Sequence, residues 1–153
     1  MRVTEYTMEL NNERIPSLVK EKSMNYAALK TCKHPSEIER MMRDVYRLDK
    51  KAEEHLYMLA FTANMSLLGV FEISHGTVNS SVVTPREILI RSLAIGAVNL
   101  ILVHNHPSGN VQPSKPDVDV TKRVRKVCEI VGVQLCDHII IGDTRFSFME
   151  NDM

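Results

Sequence analysis

The organisation of the chain is clearest in residues 98–117, which read VNLILVHNHPSGNVQPSKPD. Positions 98–103 are nearly all apolar, a pattern typical of a strand that is buried on both faces of a sheet. The segment from His104 to Ser114 is rich in Pro, Gly, Asn and Ser, which predicts a loop. Ser114 and Asp117 then have the spacing of a capping box, so a helix should begin here. The stretch therefore predicts a strand, a loop and a helix in direct succession.

Four further strands are predicted from period-two alternation and from short apolar runs, at residues 2–10, 56–61, 67–73 and 133–141. A hairpin turn is expected at Asn64, between the second and third of these strands. Residues 11–35 show only weak periodicity, and we expect them to form a loop or an arm.

Two further helices are predicted from capping signals. Ser36 and Glu39 have capping-box spacing, and the helix that follows would run to about Leu48. Thr84 and Glu87 repeat the signal, with a proline at the first helical position. Together the elements predict one α/β or α+β domain, a mixed sheet flanked by helices. Strand 98–103 should be central, with helices 85–95 and 116–131 packed against it.

Composition limits the classes of protein to which this chain can belong. Its 153 residues suit one domain, and 19 basic against 19 acidic residues give a formal net charge of zero. That balance argues against direct nucleic-acid binding, which depends on excess Lys and Arg. No apolar run reaches about 18 residues and no signal peptide is evident, so neither membrane nor export is expected. Three cysteines without paired spacing read as reduced thiols of a cytoplasmic protein.

The chemistry is concentrated at His104, His106 and Asp117. Two histidines at i and i+2 lie on the same side of an extended backbone, so both imidazoles can reach one metal ion. Asp117, in the first turn of the following helix, would add a carboxylate ligand. Two His and one carboxylate leave one tetrahedral position for water, the open geometry of catalytic zinc. Zinc lowers the pKa of that water towards about 7, which makes hydroxide available at neutral pH.

Each feature also has an ordinary explanation when taken alone. A histidine at a strand end is usually a surface residue, and the Ser114–Asp117 pair is fully explained as a helix cap. The strand, loop and helix context is what favours the metal site, because it brings all three side chains to one end of the strand.

These residues resemble a known signature. His104-Asn105-His106-Pro107, then six residues, Ser114, two residues and Asp117 is the pattern of the JAB/MPN (JAMM) metallopeptidase-like domain. The RadC branch is also resembled at residues 76–79, 85–87, 104–109, 121–123 and 137–140, and the likeness covers about residues 45–150.

The resemblance implies a JAB/MPN architecture, which is cytidine-deaminase-like, for residues 46–153. Residues 1–45 would add an N-terminal strand or arm and the start of the first helix. The resemblance further implies that His104, His106 and Asp117 bind Zn²⁺ and that Ser114 donates to the oxyanion of the tetrahedral intermediate.

An upstream glutamate acts as general acid/base in this family, within a Glu-x-apolar context before the first core strand. Glu54-His55-Leu56 matches that context, whereas Glu53 lies in the variable position before it. Glu72 lies inside a strand, and Glu87 is accounted for as a helix cap. We therefore assign the base to Glu54, provided that it reaches the water at the metal.

Other patterns carry less weight. The tripeptide His-Asn-His does not indicate an HNH nuclease, whose three named residues are dispersed. Cys136, Asp137 and His138 contain the ingredients of a thiol triad, but on a strand Asp137 would point away from the other two, so a buried structural cysteine is favoured. His138 is either a core residue or an outer partner of the metal site, with a slight preference for the second. The basic cluster of Lys122, Arg123, Arg125 and Lys126 reads as a solvated helix face.

Two classes of function remain open. The first is a zinc peptidase or isopeptidase that acts on a peptide or protein substrate with zinc-bound hydroxide. The second is a catalytically weak or inactive JAB-fold binding module for partners in DNA repair or other nucleic-acid processing. Residues 1–45 do not resemble the helix-hairpin-helix region of longer RadC proteins, so direct DNA contact is not expected. The complete set of five site residues favours the enzyme, and the oligomeric state is left open.

Overall fold

The computed structural model describes residues 1–76 and 83–153. The helices are α1 (Pro35–Tyr46), α2 (Pro85–Ala94) and α3 (Lys115–Ile130), with a short 3-10 helix at Leu48–Lys50. The strands are β1 (Arg2–Leu10), β2 (Pro16–Asn25), β3 (Glu54–Phe61), β4 (Leu67–Gly76), β5 (Asn99–Asn105), β6 (Gln134–Ile141) and β7 (Arg145–Ser147). None of the helices in these ranges combines the length and the apolar character that a membrane crossing requires.

The strands of the described residues form one mixed sheet in the order β2-β1-β4-β3-β5-β6-β7. The β1/β4 and β5/β6 pairs are parallel, and the other neighbours are antiparallel. Every residue of β5 is buried, and the strand lies between β3 and β6. The prediction of a central strand near residues 98–103 is confirmed, as is the α+β class. The architecture is consistent with a JAB/MPN domain.

Both faces of the sheet are covered by helices. On one face, α1 contributes Ile38, Met41 and Met42 to a core that includes Ile101 and Val103 of β5. On the other face, residues of α2 and α3 form a second core with Leu100 and Leu102. Because side chains alternate along a strand, His104 follows Leu100 and Leu102 to the α2/α3 face, whereas Asn105 follows Ile101 and Val103. The side chains of His104 and Asn105, although adjacent in sequence, therefore lie on opposite faces of the sheet.

The expectation of a loop or arm at residues 11–35 is wrong for its middle part. Residues 16–25 form β2, which pairs with β1 along nearly the whole length of both strands. All ten residues of β2 are at least partly exposed, so the strand has no strong alternation of buried and exposed positions. Its conformation comes from hydrogen bonding to β1 rather than from its own pattern. Strands β1 and β2 therefore extend the same sheet that carries β3 to β7.

The predicted cap of α1 is wrong, whereas the predicted cap residue of α2 is right but its side chain makes no capping bond. Helix α1 begins at Pro35, and the carboxylate of Glu37, not Glu39, accepts from the backbone N–H groups of Lys33 and His34 at 2.8 and 3.1 Å. Proline suits the first helical position, which shifts the cap two residues upstream. Thr84 precedes α2 as predicted but makes no side-chain cap bond. Glu87 instead forms ion pairs with Arg86 and Arg91, both at 2.9 Å.

Candidate metal centre

The predicted ligands meet where β5 ends and α3 begins. His104 lies in β5, and the N–H of His106 donates to the carbonyl of Ile141 at 2.9 Å, so β5/β6 pairing continues one step past the strand. The backbone therefore stays extended and keeps both imidazoles on one side. Asp117 is the third residue of α3 and lies over the same end of the sheet.

The potential ligand atoms converge closely. His104 Nε2 lies 3.3 Å from Asp117 Oδ1, and His106 Nε2 lies 3.4 Å from Asp117 Oδ2. The two Nε2 atoms are 2.9 Å apart. A tetrahedron around zinc, with ligands at 2.0–2.2 Å, has edges of about 3.3–3.6 Å. Each His–Asp separation is close to such an edge, although the two run to different oxygens of the Asp117 carboxylate, and the His–His separation is shorter by a few tenths of an ångström. Within the described residues this is the His/Cys/Asp/Glu group with geometry for a metal ion.

Hydrogen bonds on the far side of each ring direct lone pairs to this point. His106 Nδ1 is 2.7 Å from the carbonyl oxygen of Asn110, which can only accept, so Nδ1 carries the proton. The Nε2 of a neutral His106 is then an acceptor. His104 Nδ1 is likewise occupied, at 2.7 Å from His138 Nε2. Acceptor atoms from two imidazoles and a carboxylate therefore face one another in a buried place, an arrangement that requires a cation or a proton between them.

The close approach of these groups shifts the pKa values of Asp117 and His106. Burial alone would raise the pKa of Asp117, but contacts with His104, His106 and Ser114 hold that pKa well below its usual range. The Asp117 carboxylate in turn raises the pKa of His106. Asp117 is only 6% exposed, so its negative charge is available to a ligand at this point rather than to solvent. The site is built to hold positive charge.

Ser114 and Asp117 form the predicted capping box. Asp117 Oδ2 accepts from the Ser114 N–H at 2.7 Å and from the Ser114 hydroxyl at 2.6 Å. Oδ1 is left to face His104. The capping and ligand roles of Asp117 are therefore compatible. A hydroxyl has one proton, so Ser114 must give up its bond to Asp117 before it can donate to an oxyanion.

Glu54 opens β3 and lies in the wall of a cleft beside the ligands. Leu56, two residues after Glu54, pairs with His104 across β3 and β5, and the charges of His104 and His106 both act on the Glu54 carboxylate. The cleft has a volume of about 720 Å³, and Glu54, His104 and Asp117 line it. Burial raises the pKa of Glu54, although the nearby His104 and His106 lower it in part. The glutamate predicted as the base thus lines the same cleft as two of the three predicted ligands, His104 and Asp117.

Asn105 holds the segment that carries Glu54, and sequence reasoning missed it. Its Oδ1 accepts from the N–H of His55 at 2.8 Å, and its Nδ2 donates to the carbonyl of Glu53 at 3.0 Å. These bonds fix the backbone on both sides of Glu54. Asn105 is 1% exposed. Asn105 lies between two histidines that explain the local sequence pattern. The alternation of side chains along β5, which places Asn105 on the opposite face from those histidines, was the signal that could have identified its separate role.

The remaining carboxylates are engaged elsewhere. Glu72 lies 2.7 Å from His55 Nδ1, and its second oxygen accepts from the Tyr57 hydroxyl at 3.4 Å. The Glu87 carboxylate forms ion pairs with two arginines instead of the predicted helix cap. Glu53 is exposed beside the entrance to β3. Of the four glutamates considered, Glu54 is the one that lines the cleft.

The Cys136, Asp137 and His138 group is arranged differently from the prediction. A bulge in the β5/β6 pairing interrupts the alternation, so half-buried Cys136 packs on the α1 side whereas His138 reaches His104 on the α3 side. Asp137 accepts from the N–H groups of His138 and Met149 and from the Ser147 hydroxyl. No thiol triad forms among these three residues. Burial is the main cause of the lowered pKa of His138, which is well below the usual value.

The basic side chains of α3 occupy its outer face, as predicted. Lys122, Arg123 and Lys126 are exposed and Arg125 is half-buried. Lys122 and Arg123 also line the cleft, together with Asp119. The rim of the cavity therefore carries charges of both signs.

A mixed sheet that brings two strand-borne histidines and a helix-borne aspartate to one point defines a class of domains suited to hold a metal ion beside a cleft. The sequence model of the RadC-like JAB domain matches residues 32–153, and the chain belongs to this family. Of the segments that suggested the RadC branch, residues 77–79 lie outside the described residues.

Relatives of the chain carry the name UPF0758 protein. A protein of this name from Desulforamulus reducens is 42% identical over 111 residues, which are 72% of this chain and 48% of the relative. Another from Clostridioides difficile is 42% identical over 119 residues, 77% of this chain and 50% of the relative. One from Geotalea uraniireducens is 35% identical over 129 residues, 84% and 56% of the two chains. The chain thus spans about half the length of the curated relatives it matches.

Proposed function

We propose that this domain is a zinc-dependent hydrolase of the JAMM type that cleaves a peptide or isopeptide bond. One observation carries the proposal: the imidazole nitrogens of His104 and His106 converge with the Asp117 carboxylate at a cleft whose wall contains Glu54. A bound zinc ion would supply a Lewis acid for the scissile carbonyl and a water of lowered pKa. The protein residues supply the proton transfers and the positioning.

Glu54 has the environment that a general acid/base needs. Its half-buried carboxylate has a raised pKa, which brings its protonated and ionised forms closer in free energy near neutral pH. In the ionised form it accepts a proton from water, and in the protonated form it returns that proton to the leaving amine. Ser114 is the proposed donor to the oxyanion, after its hydroxyl leaves Asp117.

The cleft suits a polypeptide better than a phosphate backbone. Its volume of about 720 Å³ falls within the usual range of ligand sites, about 300–1,000 Å³. Apolar side chains of Leu56, Val83 and Val120 line it beside the acidic and basic groups. A channel for nucleic acid would need an excess of positive charge. We therefore propose a peptide or protein substrate.

The first test is metal content. The protein, incubated with zinc and dialysed, should retain one zinc ion per chain by elemental analysis. His104→Ala and Asp117→Asn should retain none, because each leaves only two protein ligands. His75→Ala is the matched control, since His75 is a mostly exposed histidine outside the site. Wild-type protein without zinc, or a His104→Ala variant that binds as well as wild type, would contradict the proposed metal centre.

The second test is cleavage of an unbiased peptide library by the zinc-loaded protein, with His104→Ala as the blank. Zinc-dependent cleavage at defined bonds is expected. A protein that binds zinc tightly but cleaves no member of the peptide library and no isopeptide-linked substrate would favour the binding-module alternative.

A further inference from the structure

A chain of buried hydrogen bonds connects two of the proposed metal ligands, His104 and Asp117, through His138 and Thr121. His104 Nδ1 lies 2.7 Å from His138 Nε2, and His138 Nδ1 lies 2.6 Å from Thr121 Oγ1. The Thr121 hydroxyl also lies 2.6 Å from the backbone carbonyl oxygen of Asp117, one turn earlier in α3. His138 and Thr121 are each 1% exposed, so water does not compete for these bonds.

The donor and the acceptor of each bond in this chain follow from the backbone carbonyl of Asp117 at its end. The Asp117 carbonyl can only accept, so the Thr121 hydroxyl donates its single proton there. Thr121 Oγ1 can then only accept from His138, which must carry a proton on Nδ1. A neutral imidazole protonated at Nδ1 has a lone pair at Nε2, which accepts from His104 Nδ1. His104 is thereby left with its lone pair on Nε2, the atom that faces His106 and Asp117.

The ring of His138 is held in place from other directions. It stacks on Phe148, with ring centres 5.1 Å apart and planes 14° from parallel. Its backbone N–H donates to Asp137 Oδ1 at 2.8 Å, and its carbonyl accepts from the Phe148 N–H at 3.0 Å. The acceptor offered to His104 is therefore fixed in both position and orientation.

We propose that Thr121 and His138 are positioning residues of the metal centre, which set His104 in the tautomer that presents its Nε2 lone pair to a divalent metal ion. The inference rests on the proposed metal centre but not on hydrolysis. Outer hydrogen bonds of this kind orient ligating imidazoles and commonly change metal affinity by about 10–100-fold. Unlike a purely structural bond, this one determines which ring nitrogen of His104 is protonated.

Thr121→Val tests the proposal because it removes the hydroxyl and preserves the shape. Without that acceptor, His138 no longer has to carry its proton on Nδ1, and the tautomer of His104 is no longer set. Zinc affinity, measured by competition with a chromophoric chelator, should fall by about 10–100-fold. Thr121→Ser keeps the hydroxyl and should bind zinc within about twofold of wild type if the hydroxyl is what matters.

Ser92→Ala is the matched control. Ser92 is fully buried on α2, and its hydroxyl donates to the Leu89 carbonyl at 3.0 Å, away from the site. This variant loses a similar helix bond and should keep wild-type zinc affinity. A Thr121→Val variant that binds zinc like Ser92→Ala would overturn the proposal.

A second measurement does not depend on zinc. Nitrogen NMR of the imidazoles in the metal-free wild type should show His104 protonated on Nδ1, and Thr121→Val should lose that preference. Finding His104 protonated on Nε2 alone in the wild type would overturn the inference. Failure of the wild type to bind zinc would instead overturn the proposed metal centre, while the tautomer measurement still decides the direction of the bonds.

Discussion

Glu54 is the single residue whose replacement most directly separates catalysis from metal binding. Glu54→Gln preserves the shape of the side chain and leaves the three ligands unchanged, but the amide cannot take a proton. We expect normal zinc content and a turnover lower by about 10²–10⁴, the usual contribution of a general acid/base. Turnover is measured on the peptide that the library identifies, and zinc content by elemental analysis. Glu53→Gln is the control, and full activity in Glu54→Gln would mean that another residue is the base.

Asn105 is expected to affect activity by positioning the Glu54 segment and not by taking part in the reaction. Asn105→Ala removes two partly buried hydrogen bonds to the backbone of Glu53 and His55. At about 0.5–1.5 kcal/mol each, their loss should lower the free energy of unfolding by about 1–3 kcal/mol. Turnover should fall while zinc content is retained. Asn99→Ala is the matched control, since Asn99 is a buried asparagine on the same strand that bonds to the Thr62 carbonyl. Equal losses of activity in the two variants would argue against a positioning role for Asn105.

At the scale of elements, the loop after β5 owes its shape to close contact with the turn between β6 and β7. The Asp143 N–H donates to the Gly109 carbonyl at 2.9 Å, and a Cβ atom at Gly142 would lie 2.3 Å from that same oxygen. The loop also supplies the Asn110 carbonyl that orients His106. The hairpin turn therefore supports the proposed metal centre without contributing a ligand.

Gly142→Ala should displace this loop, because the added Cβ would meet the backbone oxygen of Gly109, which cannot rotate away as a side chain could. We expect a loss of about 1–3 kcal/mol in stability from overpacking, together with weaker zinc binding. Gly132→Ala is the control, since its Cβ would meet open space and its cost comes only from the positive φ of 73°. Chelator competition on both variants distinguishes the cases. Zinc affinity that is unchanged in Gly142→Ala would show that the loop tolerates the shift.

At the scale of the whole molecule, the hairpin of β1 and β2 completes the sheet on the side far from β7. Val3 and Tyr26 contribute to the core beneath α1, and the Tyr6 ring stacks on Phe71 with centres 5.9 Å apart. The hairpin lies wholly outside the segment that the family model matches, which begins at residue 32. Its contribution to the stability of residues 32–153 is therefore a property to measure.

Removal of residues 1–31 should lower stability substantially, because it exposes the edge of β4 and uncovers apolar side chains. Burial of each large apolar side chain is worth about 1.5–3 kcal/mol, so a loss of several kcal/mol is expected. Urea denaturation followed by circular dichroism measures it. Leu10→Ser, at an exposed position of the hairpin, should have little effect. A fragment 32–153 with the wild-type midpoint would show that the hairpin is dispensable.

Local pattern was sufficient for features that depend on residues close in sequence. The apolar run of β5, the capping box of α3 and the position of two histidines on one side of an extended backbone follow from local chain geometry. The fold brings His104, His106 and Asp117 together as the sequence predicts. The choice of Glu54 came from a resemblance and remains a prediction, although the register of β3 against β5 supports it. The cap of α1 differs from the prediction because two possible capping boxes, His34–Glu37 and Ser36–Glu39, overlap within six residues.

Contacts between distant segments were decided only by the tertiary structure. Strand β2 has no distinctive periodicity, so its conformation depends on pairing with β1. The bulge near Cys136 reverses the expected facing because side-chain alternation holds only while the pairing register is continuous. The link from His104 through His138 to Thr121 spans three elements, and no spacing along the chain encodes it. Periodicity records which face of an element is buried, whereas the partner of a buried polar group is determined by which elements the fold places beside it.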